Sequence, residues 1–160
     1  MKLFKENIQL SSAHLLSFHK GKCSNVHGHN WLVGVELELV EGSLKDGMIV
    51  DFGDIKKIFE KYDHTTLISR NIIGLSLQDK GKQVEFSIQR EKYSFPSSKV
   101  VLLDEEPTAE NLVCIFIDEI GMLLRELYRD SKSQTTIKIK VRVEETPGNV
   151  VEHTEDLVLS

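Results

Sequence analysis

Cysteine is scarce in this chain. Its 160 residues hold two, Cys23 and Cys114. Two cysteines make too thin a framework to staple a protein of this size, so a reducing, cytoplasmic setting is expected. Long apolar runs are missing as well. No stretch approaches the roughly 18 residues that a membrane span requires. The N-terminus, MKLFKENIQLSS, alternates polar and apolar residues and lacks the apolar centre of a secretory signal. There is no internal repeat and no low-complexity tract. Basic charge does not predominate either: 20 Lys and Arg stand against 25 Asp and Glu, a net charge of −5. General nucleic-acid binding, which needs a basic face, is not expected, although a small basic pocket is compatible with this balance. With 40% apolar and 28% charged residues the composition is that of an ordinary globular protein. The length implies one domain, 1–160, and folding such a domain removes roughly 70% of the unfolded surface from water.

The periodicity of the apolar residues places the elements. Residues 3–10 read as a loosely patterned strand leading to Ser11, Ser12, Ala13 and His14, and 15–26 read as a loop. From His29 to Val40 the chain alternates as a strand. Asp51 can cap a helix in which Ile55, Ile58, Phe59 and Tyr62 share one face, ending around Asp63-His64. Within 72–105, Val84, Phe86 and Ile88 suggest a strand. Tyr93 and Phe95, then Val100–Leu103, are its candidate partner, with a turn at Pro96-Ser97-Ser98. Thr108 is a good N-cap for a second helix, whose apolar stripe runs from Leu112 to Leu127 and places Cys114 as a packed thiol. Residues 135–143 give the clearest strand, with Ile137, Ile139, Val141 and Val143 on one side and Lys138, Lys140 and Arg142 on the other. A turn at 146–149 and a last strand near 150–159 follow. Strand pairs alternating with single helices imply an α+β layer, an antiparallel sheet with its helices on one face. The second face must be solvated or buried by association.

The sharpest chemical signal is the segment CSNVHGHN, residues 23–30. His27 and His29 are two apart, so in an extended chain both imidazoles point to one side. His14 closes the first strand and can join them if strands one and two form a hairpin. Three neutral imidazoles with one open position form a catalytic zinc site; four closed ligands would form a structural one. By itself an H-x-H pair more often marks surface or satisfied histidines, and it is His14 placed before the loop that brings metal binding level with that reading. Cys23 fits four roles: fourth ligand, nucleophile, base or inert thiol. Asp63-His64 is either a carboxylate-oriented acid–base pair or an ordinary helix-end pair. Glu144-Glu145 ends the clearest strand, as a solvated turn or as a carboxylate that binds the N–H edge of a heterocycle. Trp31 is read as a packed or interface aromatic.

Taken in order, SSAH, CSNVHGHN, GMIVDFGDIK, YDHTTL, EPTAENL and VEET resemble the 6-pyruvoyl-tetrahydropterin synthase and 6-carboxytetrahydropterin synthase family. The blocks span nearly the whole chain outside 72–105. The resemblance implies a tunnelling fold: an antiparallel four-stranded sheet with two helices on one face, here with an inserted hairpin-like segment at about 72–105. It also implies trimers, usually stacked as hexamers, with active sites between subunits. Carried over residue by residue, it assigns zinc to His14, His27 and His29, and catalysis to Cys23, Asp63 and His64. Pterin anchoring falls to Glu145, with Thr108 and Glu110 shaping the pocket. His19, Lys20 and Lys22 are candidates for binding a triphosphate. Three residues separate Cys23 from His27, as in the 6-carboxytetrahydropterin synthases of the queuosine pathway; the pyruvoyl-forming enzymes have a longer interval. A variant subfamily has Glu where this chain has cysteine.

The implied reaction converts 7,8-dihydroneopterin triphosphate to 6-carboxytetrahydropterin, acetaldehyde and triphosphate. Simple triphosphate elimination, cleavage of dihydroneopterin, and a non-catalytic pterin-binding or structural zinc protein are the alternatives. The chain departs from the family in Leu10-Ser11-Ser12-Ala13, where an aromatic and two alanines are common, and in Tyr62, where Leu is common. It departs also in the long segment Ile72–Glu105. That segment could cover the active site, extend the sheet or mediate assembly, and its simplest reading is a surface hairpin without a catalytic role.

Overall fold

A computed structural model describes residues 1–131 and 133–159. Four long antiparallel strands form the centre of its main sheet: β1 (Lys2–His14), β2 (His27–Glu41), β8 (Thr135–Thr146) and β9 (Asn149–Leu159), adjacent in that order. Helices α1 (Phe52–Glu60) and α2 (Ala109–Tyr128) both lie in the long connection from β2 to β8. This is the expected α+β arrangement. Period-2 alternation decides which face is buried. Trp31, Val33, Val35 and Leu37 of β2 and Ile137, Ile139, Val141 and Val143 of β8 enter one core with Phe59, Phe116, Ile120 and Leu124 of the helices. The opposite face carries cross-strand charge pairs, Lys2–Glu36 at 2.6 Å and Lys140–Glu152 at 3.0 Å.

The loose pattern of β1 has a local cause. The pairing of β1 with β2 shifts register between Lys5 and Ile8, and Asn7 in the bulge has φ of 59°. Asn tolerates that left-handed conformation better than most residues. The extra residue reverses the phase of alternation, so Leu3 faces inward before it and Ile8, Leu10, Ser12 and His14 after it. The bulge thereby points His14 into the protein.

Both helix caps are as expected. The Asp51 carboxylate accepts from Gly53 N at 2.6 Å, and Thr108 Oγ1 accepts from Asn111 N at 3.2 Å. Helix α1 ends at Glu60, before the expected Asp63-His64, which sit in the turn that follows. Cys114 is a correction: it is exposed. At about 100° per residue, its neighbours Val113, Phe116 and Ile117 take the buried face.

The segment 72–105 divides between two sheets. Strands β4 (Ser76–Gln78), β5 (Gln83–Ile88) and β6 (Glu91–Pro96) form a separate three-stranded sheet. The β5–β6 turn falls at Gln89-Arg90, with φ of 49° and 73°, not at Pro96-Ser98 as expected. Two consecutive positive φ values suit the twist of a two-residue hairpin turn. Val100–Leu103 (β7) does not pair with β5. It runs parallel to β3 (Thr66–Ser69), which itself runs parallel to the end of β1. All four residues of β3 are buried, so its backbone needs a partner on each side. These two short strands extend the main sheet to six. No helix among the described residues is long and apolar enough to cross a membrane.

Candidate metal centre and substrate pocket

The register of the β1–β2 hairpin places His14 opposite His27 and Ser12 opposite His29. With the alternation set by the bulge, all three imidazoles project to the same side of the sheet, beyond the apolar columns that fill its core. Their ligand atoms lie within 4.8 Å of one another, and the group can hold a metal ion.

The hydrogen bonds define the tautomers. His14 Nδ1 donates to the Pro107 carbonyl at 2.7 Å, and His27 Nδ1 donates to the Asn25 carbonyl at 2.8 Å. A carbonyl only accepts, so each Nδ1 carries the proton and each neutral ring presents a lone pair at Nε2. These two Nε2 atoms are 3.0 Å apart. His29 Nε2 is buried without a hydrogen-bond partner among the described residues. Converging lone pairs and an orphaned buried nitrogen are unfavourable by themselves and are relieved by a cation between them. Burial is the main reason that the His14 imidazole is pushed down to about 4, with the Pro107 hydrogen bond opposing and the two neighbouring imidazoles adding to the effect. Burial also lowers His29, against the opposing charge of Glu145. Both effects favour the neutral rings that metal binding requires.

Glu145 lies at the end of β8 on the same face. One of its carboxylate oxygens is 3.6 Å from His14 Nε2 and 3.7 Å from His29 Nε2. It also lines a cavity of about 420 Å³ with Thr108, Glu110, Leu16 and Val151. That volume falls within the range of small-molecule sites. Glu145, Thr108 and Glu110 therefore share one pocket, and Glu145 stands between it and the imidazoles. The neighbouring Glu144 is turned away: it accepts from Gly148 N and pairs with Arg142 at 2.8 Å, and both hold its carboxyl below the usual range.

Cys23 is half-buried, in a short 3₁₀ turn (Lys22–Ser24), and is not a member of the imidazole cluster. Its carbonyl accepts from Leu16 N at 2.8 Å, closing the loop between His14 and His27. Asp63 and His64 form a pair, Oδ2 to Nδ1 at 2.9 Å. The Ser11 N–H donates to Asp63 at 2.8 Å and is the main reason that this carboxyl is held below its ordinary range. His64 is 79% exposed, and no hydrogen bond or ion pair among the described residues joins it to the three imidazoles. His19 is exposed and accepts from Gly21 N through Nδ1; Lys20 and Lys22 are also exposed.

Some contributors left no trace in the residue pattern. The carbonyls of Pro107 and Asn25 orient two of the imidazoles, and any residue supplies a carbonyl. Glu106 grips the loop by accepting from Ser17 N at 3.0 Å and from its hydroxyl, while its own carbonyl accepts from Asn111.

A three-imidazole cluster that could hold a metal ion thus faces a carboxylate-lined pocket on an α+β scaffold. A family model described as 6-pyruvoyl tetrahydropterin synthase matches residues 3–156. The chain is 31% identical over 142 residues to a probable 6-carboxy-5,6,7,8-tetrahydropterin synthase of Halobacterium salinarum, covering 88% of this chain and 79% of that one. It is 30% identical over 149 residues to a putative 6-carboxy-5,6,7,8-tetrahydropterin synthase of Pyrococcus horikoshii, covering 91% and 85%. The crystal structure of Plasmodium vivax 6-pyruvoyl tetrahydropterin synthase superposes with a TM-score of 0.76 at 20% identity over 98% of both chains, so the fold is the tunnelling fold. The chain belongs to the 6-pyruvoyl tetrahydropterin synthase family and is an enzyme of the tetrahydropterin synthase type.

Proposed function

We propose that this protein is a zinc-dependent 6-carboxytetrahydropterin synthase. It would convert 7,8-dihydroneopterin triphosphate and one water to 6-carboxy-5,6,7,8-tetrahydropterin with release of acetaldehyde and triphosphate, as a step of queuosine and 7-deazapurine biosynthesis. The observation that carries this reading is the cluster of His14, His27 and His29 opening beside Glu145 and its pocket. The carboxy-forming relatives and the short Cys23–His27 interval favour it over the pyruvoyl-forming reaction.

In this reading His14, His27 and His29 hold the zinc. When bound, zinc supplies a Lewis acid for the hydroxyls of the substrate side chain. Glu145 accepts paired hydrogen bonds from the N–H edge of the pterin ring and sets the side chain against the histidines, while Thr108 and Glu110 shape the pocket. Cys23, as thiolate, removes a side-chain proton. Asp63 keeps the proton of His64 on Nδ1 and leaves Nε2 to exchange protons with the substrate. Because no hydrogen bond or ion pair among the described residues joins His64 to the cluster within one chain, it is assigned to a site completed by a neighbouring subunit. The assembly proposed is a hexamer built from two trimers of this single domain, with each active site between subunits. His19, Lys20 and Lys22 are assigned to the triphosphate. Free Cys23 and Cys114 suit a reducing cytoplasm.

Product analysis tests the reading. Purified zinc-loaded protein given 7,8-dihydroneopterin triphosphate should release acetaldehyde and triphosphate in equal amounts. Triphosphate without acetaldehyde would instead mark the pyruvoyl-type elimination, and no product at all would mark a binding protein.

A further inference from the structure

The inserted sheet is not a free-standing surface feature. Its apolar side, Val84 and Phe86 of β5 with Tyr93 and Phe95 of β6, stacks its aromatic rings and forms a second core, separate from the main one. Two residues that pack into this second core come from the loop joining β1 to β2. Leu15, fully buried, follows His14 directly, and Val26 precedes His27 directly. The hairpin turn reaches the same loop: Gln89 Nε2 donates to Ser24 Oγ at 3.1 Å. Ser24 adjoins Cys23, is 2% exposed, and its hydroxyl donates to the Gly21 carbonyl at 2.8 Å. That hydroxyl is engaged as donor and as acceptor, and its acceptor bond comes from the insertion. The loop is thus held at Ser17 by Glu106 and at Ser24 by Gln89, with Cys23 between the two grips.

We infer that the three-stranded insertion is a positioning element for the Cys23 loop, and that Gln89 is the residue through which it fixes Cys23. The inference rests on the synthase reading only for the role of Cys23; the geometry it asserts holds without it. The physical basis is the cost of order. The twelve-residue connection between the two strands, 15–26, has many conformations, and a thiol that must meet one substrate atom needs most of them removed. Leu15 and Val26 set the ends of the loop by burial, and the Gln89–Ser24 bond fixes the residue next to Cys23. Gln89 itself is exposed, so its truncation should not threaten folding.

Cys114 makes the test internally referenced, because it is exposed and lies on α2, outside the loop. The zinc-loaded protein and its Gln89→Ala variant are treated with iodoacetamide at one pH, and modification of Cys23 relative to Cys114 is followed by peptide mass spectrometry. Freeing the loop should raise the Cys23 to Cys114 ratio about threefold to tenfold, the change that one net hydrogen bond exerts on a local opening equilibrium. Melting temperature and zinc content should stay unchanged. Ser24→Ala should reproduce the rise, and the double variant should add nothing to it. Arg90→Ala, in the same turn, should leave the ratio as in wild type. On the substrate, Gln89→Ala should lower kcat with KM retained. A wild-type ratio in Gln89→Ala, or equal rises at both cysteines, overturns the inference. If the wild-type protein shows no turnover, the synthase reading fails while the alkylation ratio still decides the role of the insertion.

Discussion

His14 and His27 face each other Nε2 to Nε2 at 3.0 Å, each with its Nδ1 proton committed to a backbone carbonyl. Neither ring can turn to donate to the other without breaking its bond to Pro107 or Asn25. The chain has thus invested two backbone hydrogen bonds in presenting lone pairs to a common point, an arrangement that a cation satisfies.

Removing His27 should therefore abolish metal binding. His27→Ala is expected to lower zinc content from about one ion per chain to below about a tenth, since two imidazoles lack the three protein ligands of a catalytic site. Elemental analysis after dialysis measures it. Retained stoichiometric zinc would mean that the ion sits elsewhere.

Acid should weaken the metal-free protein through His14. Its folded pKa is about 4 because burial penalises the charged ring, against 6.5 for the unfolded chain. The unfolded state then binds protons more readily between those values. The stability is fully present above about 6.5 and is lost as pH falls towards about 4. His29, lowered in the same direction, adds to the loss. Between pH 7 and 5 the His14 contribution is about 2 kcal/mol. Urea midpoints at the two pH values, with chelator present, should diverge less in His14→Gln than in wild type.

Cys23→Ala separates catalysis from ligation. Turnover should fall by about a hundredfold or more, as for loss of a general base, while zinc content is unchanged, because Cys23 is outside the imidazole cluster. Loss of zinc from this variant would make Cys23 a ligand and the site structural.

Glu145→Gln tests the pterin anchor. Replacing a charged acceptor by an amide that presents one acceptor oxygen and donors should cost about 1.5–3 kcal/mol of binding, raising KM roughly tenfold to a hundredfold. A fall in kcat with an unchanged KM would move Glu145 from anchoring to the chemical step.

Tyr62→Phe should affect stability without affecting turnover. Tyr62 is buried, and its hydroxyl donates to Glu119 at 2.5 Å, tying the turn after α1 to α2. Burial first, then Glu119, pushes this phenol up, so it stays protonated as a donor. Its loss should cost about 1–2 kcal/mol in denaturant unfolding, with steady-state parameters as in wild type.

Much of the site was legible because strand chemistry has a simple period. His27 and His29 are two apart, and any extended chain places both on one side. The caps Asp51 and Thr108 were legible because a capping side chain acts on its own neighbours. The inserted segment was read poorly. Val100–Leu103 looks like a hairpin partner in sequence, yet it pairs with β3, and nothing local distinguishes the two edges. Cys114 departs from its expected packed position because an apolar stripe on a helix has a width, and one residue at its margin can face either way. The hold of Gln89 on Ser24 spans 65 positions and has no sequence signature.

The sequence by itself determined the local quantities: alternation, capping, the spacing of the histidines and the net charge. These depend on neighbours along the chain, where covalent geometry sets the distances. The tertiary structure alone decided which lone pair His14 and His27 present, that Glu145 stands between the cluster and its pocket, and that the insertion packs its own core around Leu15 and Val26. Those relationships join atoms that are remote in sequence. They are set by register, by a bulge at Asn7 and by competition for buried surface, none of which a linear pattern contains.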